Sequence, residues 1–245
     1  NATGTVSRLA SVTWVGGASG DWLNPSNWAG GAVPDLSNVA QVVIPSGTTV
    51  NFNTTHTGLA QVGAVSLTQL SAAGATLAQS TGVLNVTGNA SVGTWQQTDG
   101  ATTVGGKFES TDGFTQGRYA TLAVTGTTTV GSSGAVTLGS LTSTGALSVA
   151  STGGSITQLA DTALNAASTS NLSAQNANAD ADLVLNNANN VWGGAVNVSH
   201  AANLSLNGTT LPLGTITTSG TQTYARPVVL QTDATLTGVG VTFSD

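Results

Sequence analysis

The sequence predicts an all-β fold in which a single elongated domain is a stacked β-solenoid. Strand-like phrases with apolar residues at i and i+2 recur along the chain, helical spacing is almost absent, and only 6% of the 245 residues are charged. Each phrase places two apolar side chains on one face of a strand. The phrases are Leu84 with Val86, Leu122 with Val124, Leu147 with Val149, Leu183 with Leu185, Val196 with Val198, and Leu204 with Leu206.

The spacing of these phrases is irregular. The step from Leu122 to Leu147 is much longer than the steps between the last three phrases, which begin at positions 183, 196 and 204. The irregularity excludes an array of exact period and favours coils with loops of variable length, at roughly 20 to 25 residues per coil. Gly, Asn, Ser and Thr follow most phrases and allow the chain to turn.

Residues 1–50 differ from residues 51–245, which we assign to the coils. The first segment contains Trp14, Trp22 and Trp28, three of the five Trp residues, together with three of the five Pro residues. One interpretation is a capping segment, because a terminal unit of a repeat protein must cover an apolar end. The alternative is an aromatic platform that stacks on a sugar ring.

The stretch from Gly93 to Tyr119 carries Trp95, Lys107, Arg118 and several acidic residues. It is either a coil with a projecting loop or another pair of rungs with charged turns, and we favour the rungs. In the first case Trp95 and Tyr119, like the N-terminal Trp residues, are candidate ligand-facing aromatics. Between residues 157 and 179 an Ala-rich stretch is interpreted as short strands.

Catalytic and metal sites are not predicted. The ten acidic residues are dispersed, whereas polysaccharide cleavage needs paired carboxylates or a cation. Asp180 and Asp182 could hold calcium on one face of a strand, although solvated turn carboxylates are favoured because the calcium-roll signature is missing. His56 and His200 lie far apart in the sequence, without Cys, which argues against a transition-metal site.

Composition limits the partners. Four basic residues against ten acidic ones argue against nucleic acid and anionic membranes. No apolar stretch is long enough to cross a bilayer, so membrane insertion is not expected. The chain contains no Cys, which suits an exposed extracellular product, and the missing initiator Met suggests a processed product or a fragment.

Residues 183–238 resemble the repeat regions of filamentous haemagglutinin-like exoproteins, the large adhesins of two-partner secretion systems. The similar phrases are Leu185 to Val198, Thr221 to Tyr224 followed by Val228 to Leu230, and, more loosely, Thr121 to Gln158. The resemblance implies a right-handed parallel β-helix that is exported to the cell surface or medium and takes part in adhesion. Asn24-Pro25-Ser26 only partly matches the Asn-Pro-Asn motif of the family's secretion domain.

The sequence therefore predicts a secreted or surface-displayed bacterial adhesin-type rod that is not an enzyme and needs no cofactor. Its expected partner is a host or bacterial surface receptor or glycan. The first alternative is a subunit of an extracellular filament or sheath that self-associates through coil ends. The second is a polysaccharide-binding module, which exposed Trp or Tyr side chains would favour and their burial would oppose.

Overall fold

The computed structural model describes residues 8–35, 38–53 and 64–244. Within these ranges the chain forms β-strands and a single turn of 3₁₀ helix, Pro25–Asn27, and no α-helix is found. In the first half the strands are β1 Leu9–Thr13, β2 Ser19–Asp21, β3 Val39–Val43, β4 Thr49–Phe52, β5 Ala64–Leu67, β6 Gln69–Gln79, β7 Val83–Val86, β8 Ala90–Gln97, β9 Ala101–Val104, β10 Phe108–Gln116, β11 Thr121–Val124 and β12 Thr128–Ser132. In the second half they are β13 Val136–Leu138, β14 Ser140–Ser143, β15 Leu147–Ser151, β16 Ile156–Gln158, β17 Leu164–Ala166, β18 Ser170–Asn176, β19 Ala179–Asp180, β20 Leu183–Leu185, β21 Val191–Trp192, β22 Val196–His200, β23 Leu204–Leu206, β24 Leu211–Thr217, β25 Thr221–Tyr224, β26 Val228–Thr237 and β27 Gly240–Phe243.

The strands lie on three faces of a coil that winds about nine turns, which confirms the predicted β-solenoid. The first face holds β1, β3, the first parts of β6, β8 and β10, and then β12, β15, β18, β22, β24 and β26. The second face holds β2, β4, the last parts of β6, β8 and β10, and then β13, β16, β20, β23, β25 and β27. The third face holds β5, β7, β9, β11, β14, β17 and β21. Neighbouring turns pair in parallel, and β18 and β19 form an antiparallel hairpin.

The length of a turn varies because loops at the corners absorb the difference. On the third face Ala64 pairs with Val83, and Val83 pairs with Ala101, so these two turns are of nearly equal length. On the first face Leu9 pairs with Val39, which makes that turn much longer. The strands keep their parallel pairing from turn to turn, so the irregular spacing of the apolar phrases arises from corner loops of different lengths.

The core consists of columns of stacked side chains. Both apolar residues of all six phrases are buried, as strand alternation requires. One column on the first face includes Val42, Leu70, Ala90 and Phe108, each in register with the next. Burying a side chain of this size stabilises a fold by roughly 1.5–3 kcal/mol, which makes these columns the main source of stability.

The solenoid begins inside the segment 1–50, because β1 to β4 pair in parallel with each other and with β6. Here Trp28 packs edge-on against both Trp14 and Trp22, with ring centroids 5.1 and 4.8 Å apart. Residues 27–29 run antiparallel beside residues 13–15, held by hydrogen bonds of 2.8 and 3.0 Å. The three Trp rings thus form one buried aromatic cluster in the core at the N-terminal end of the described stack.

The stretches at residues 93–119 and 157–179 belong to ordinary turns of the coil. Residues 93–119 contain part of β8 and the whole of β9 and β10, so the interpretation as rungs is confirmed and no long loop projects from them. Residues 157–179 contain most of β16 and the whole of β17 and β18, which confirms short strands there.

Candidate functional site

The candidate site lies at the corner that links the second face to the third face, which we call the second corner. Its turns include residues 80–82, 98–100, 117–120, 159–163 and 186–190. Beneath three of these turns Gln79, Gln97 and Gln116 end strands β6, β8 and β10, and they stack in register. All three side chains are buried. We call this column of amides the glutamine spine.

Hydrogen bonds from the glutamine spine tie each turn to the next. The Gln97 amide nitrogen donates to the Gly100 carbonyl in its own turn at 3.1 Å and to the Thr121 carbonyl in the next at 2.9 Å. Gln79 repeats this pattern with the carbonyls of Gly82 and Ala101. These hydrogen bonds hold the local backbone in place, because a movement that broke them would leave a buried amide unpaired at a cost in free energy.

The members of the spine also bond to one another and to the core. Gln116 donates through Nε2 to Gln97 Oε1 at 3.1 Å, and Trp95 donates through Nε1 to the same oxygen at 3.4 Å. Gly139 then donates its backbone N–H to Gln116 Oε1 at 3.2 Å. The corner is therefore supported over three consecutive turns.

A second pair of amides supports the corner further along. Gln158 and Asn190 are buried and bond reciprocally, each donating to the other's side-chain oxygen at 2.8 Å. Asn190 Oδ1 also accepts from the backbone of Leu164, and Asn187 donates to the carbonyl of Leu159 at 2.7 Å. These contacts hold the turn at residues 159–163 in place.

The outer side of this fixed corner carries charged and aromatic side chains. Arg118 and Asp161 form an ion pair between two turns, across the tight turn at Gly139. Their side chains are 50% and 73% exposed, so the pair itself contributes at most about 1 kcal/mol to stability. Tyr119, next to Arg118, is 75% exposed. Tyr and Arg are the residue types enriched at binding hot spots.

The third face, which follows the second corner, carries uncharged side chains where β7, β9, β11 and β14 end, on the side away from Tyr119. There it forms a shallow concavity of about 430 Å³. The lining residues are Asn85, Val86, Thr87, Thr103, Val104, Gly105, Ala123, Val124, Thr125, Thr142 and Thr144. Its hydroxyl and amide groups can bond to a partner with little cost in desolvating charge. The concavity and the second corner therefore lie at opposite ends of the strands of the third face.

Four of the five aromatics considered as ligand-facing are in the core. Trp14, Trp22, Trp28 and Trp95 are buried, because strand alternation and the N-terminal turns direct their rings inward. None of these four rings is exposed to solvent, so their interpretation as ligand-facing is wrong. Tyr119, in the turn between β10 and β11, is the exception.

Asp180 and Asp182 lie at the corner that links the first face to the second face, which we call the first corner, where Asp180 ends β19. Asp180 contacts His200 Nδ1 at 3.2 Å, and Asp182 accepts from the side chain of Asn203 at 2.9 Å. The two carboxylates thus have separate partners. His56 lies outside the described residues, and among the residues described no group of three His, Cys, Asp or Glu side chains could hold a metal ion.

Sequence reasoning missed the glutamine spine, although a signal was present. Gln79-Ser-Thr-Gly82 and Gln97-Thr-Asp-Gly100 repeat a Gln-x-x-Gly pattern on successive turns of the coil. Each Gln ends a strand, and each Gly has a positive φ. A Gln at an inward strand end followed by such a turn indicates a side chain that bonds to the turn's carbonyls. On the outer surface, Asn197 of one turn donates to Asn171 of the neighbouring turn at 3.0 Å.

Residues 129–199 match a family described as repeats of unknown function (DUF5649). The matched stretch runs from β12 to β22 and contains Asp161, Gln158 and Asn190 of the second corner. Comparison with curated proteins gave no match, and comparison with solved structures gave none either. No helix in the described ranges is long and apolar enough to cross a membrane.

Proposed function

We propose that this chain is a rigid, non-catalytic rod of a secreted or surface-displayed bacterial exoprotein, and that its second corner binds a surface receptor or glycan during adhesion. The main support is the position of Tyr119 and the Arg118–Asp161 pair on a corner that buried amides hold in place. A group presented on a fixed backbone loses little conformational freedom on binding. The low charge of the chain and its lack of Cys suit an extracellular setting.

The surface chemistry supports binding rather than catalysis. Tyr119 offers a large amphipathic ring, and Arg118 and Asp161 offer a donor and an acceptor. These groups suit the hydroxyl-rich face of a glycan or the polar surface of a receptor. Polysaccharide binding through a row of Trp rings is disfavoured, because the Trp side chains of the described residues lie in the core.

Adhesion of protein-coated beads to cultured epithelial cells and to a glycan array tests the proposal. We expect the parent chain to bind, and Tyr119→Ser and Arg118→Ser each to weaken binding at least about tenfold, which corresponds to about 1.4 kcal/mol. Val15→Ser and Lys107→Ser are the matched controls. Val15 is an exposed apolar side chain shortly after β1, away from the second corner, and Lys107 belongs to an exposed ion pair with Glu109.

The controls separate a binding defect from a general surface effect. All four side chains are exposed, so each variant should fold as the parent does, with changes in unfolding free energy within about 1 kcal/mol. Equal loss of binding in variants and controls would assign adhesion to another surface. Failure of the parent to bind any cell or glycan would refute the adhesive role.

A further inference from the structure

The concavity of about 430 Å³ lies where the third face bends into the first face, a corner that we call the third corner. Four consecutive turns contribute to it, and each supplies one residue before and one residue after an inward strand residue. Side chains at i and i+2 leave a strand on the same side, so the two columns border a single groove. The first column includes Thr103, Ala123 and Thr142, and the second includes Gly105, Thr125 and Thr144.

The groove runs along the axis of the stack. The residues of its first column are in register from turn to turn. Neighbouring parallel strands lie about 4.8 Å apart, so four turns extend about 14 Å along the axis. On the two middle turns the lining side chains are no larger than Val or Thr, and Gly105 and Ala123 are smaller still. Nothing bulky therefore interrupts the groove between its ends.

The walls of the groove carry hydroxyl groups and no charge. Thr103 donates through Oγ1 to Asn85 Oδ1 at 2.8 Å. The hydroxyls of Thr125, Thr142 and Thr144 have no hydrogen-bond partner within the described ranges, and all three residues are exposed. A hydroxyl both donates and accepts, so each of the three can bond to a ligand in place of water. The methyl groups of the same residues offer apolar contacts beside them.

The shape and charge of the groove select the class of ligand. A site for a compact small molecule encloses most of its ligand, whereas this groove is shallow and open. The strands β9 and β11 are paired at both edges, so the groove offers no free strand edge to an extended peptide. A charged polymer finds no charge of opposite sign among the lining residues. An uncharged chain with hydroxyl groups along its length fits these conditions.

We propose that the third corner binds a linear neutral glycan that lies along the axis of the stack. Successive sugar units meet successive turns, and their hydroxyls exchange hydrogen bonds with Thr125, Thr142 and Thr144. None of the lining residues is aromatic, so each sugar unit contributes little and affinity rises with the number of units bound. The groove lies at the opposite end of the third-face strands from Tyr119, so this proposal is independent of binding at the second corner.

Isothermal titration calorimetry of the 245-residue chain with linear hexasaccharides tests the proposal. The probes are the neutral hexamers of glucose, mannose, galactose and xylose, their disaccharides, and the acidic hexagalacturonate. We expect at least one neutral hexamer to bind more tightly than its own disaccharide. Binding of no neutral hexamer overturns the proposal, and so does tighter binding of hexagalacturonate.

Ala123→Leu fills the middle of the groove without adding a hydrogen-bonding group, and it should weaken binding at least about tenfold. Ala73→Leu is the matched control, because Ala73 is an exposed residue of β6 at the first corner. It should leave the affinity unchanged. Equal weakening by the two substitutions would place the glycan elsewhere on the chain and contradict the proposal.

A second pair of variants separates hydrogen bonding in the groove from binding at the second corner. Thr125→Val with Thr142→Val removes two hydroxyls from exposed positions and should also weaken binding about tenfold. Tyr119→Ser, which tests the second corner, should leave the affinity for the hexamer unchanged. If Tyr119→Ser abolishes hexamer binding and the double variant does not, the glycan binds at the second corner and the groove proposal is wrong.

Discussion

Replacing Gln97 by Leu tests whether the glutamine spine stabilises the solenoid. Gln97 is buried at the end of β8, and its side chain makes four hydrogen bonds, two as donor and two as acceptor. Leu has a similar size and suits the columns around it, so the change removes the amide without opening a large cavity. The substitution therefore isolates the contribution of the hydrogen bonds.

The expected cost follows from the partners that remain. The indole N–H of Trp95, which is buried, loses its hydrogen bond to Gln97, and the amide nitrogen of Gln116 loses one of the two hydrogen bonds that it donates. The carbonyl of Gly100 still accepts from the backbone of Thr121 at 3.0 Å. A buried donor without a partner costs about 1–3 kcal/mol, and the apolar side chain offsets part of this. We expect a loss of about 2–4 kcal/mol in the free energy of unfolding.

Gln96 is the matched control, because it is the same residue type one position earlier and faces solvent. Gln96→Leu should change the free energy of unfolding by no more than about 0.5 kcal/mol. Urea unfolding followed by circular dichroism measures both variants, and hydrogen exchange at residues 98–121 reports whether the corner loosens locally. If the two variants differ by less than about 0.5 kcal/mol, the spine does not stabilise the corner and the reasoning fails.

Three further predictions concern other parts of the fold. Burial raises the pKa of Tyr224, so the unfolded state loses the phenol proton at a lower pH than the folded state does. The free energy of unfolding should therefore be unaffected by this group below about pH 10 and fall by about 1.4 kcal/mol per pH unit above it. Urea unfolding at rising pH measures this slope, which Tyr224→Phe should reduce, and an unchanged slope would contradict it. Gly153→Ala should lower the melting temperature by several degrees because its Cβ would clash with the carbonyl of Ser133, whereas Gly134→Ala, with open space around it, should be near neutral. Millimolar calcium should not shift the melting temperature measurably, since the side chain of Asp180 is already engaged at the first corner, and a clear upward shift would reveal an ion site.

The faces of the solenoid were predictable from the sequence because strand alternation acts locally. Leu147 and Val149 are both buried in β15, as their spacing requires. The same rule makes the turns predictable where Gly or Asn follows a strand. The length of the chain at each corner was not predictable, since a corner tolerates insertions without disturbing the register of the strands on either side.

The candidate site was harder to predict because its parts act through contacts between turns. Tyr119 was identified as an unusual aromatic, but its exposure depends on its place in the short turn between β10 and β11. The partner of Arg118 is Asp161, which lies in a later turn of the coil and far away in the sequence. The burial of Trp14, Trp22 and Trp28 could not be predicted either. Their segment is rich in Gly and Pro, so strand alternation does not decide whether a ring faces the core or the solvent.

The faces and the corners of the solenoid place different constraints on the sequence. On the faces, each inward position must match the turns above and below it, so apolar columns and parallel hydrogen bonds constrain the sequence. At the second corner the glutamine spine and the pair of Gln158 with Asn190 supply that support from inside. The outer side of the corner is then free to vary. A side chain such as Tyr119 can be replaced there without disturbing a column, so under the proposed binding role a change of specificity at the corner would leave the stack intact.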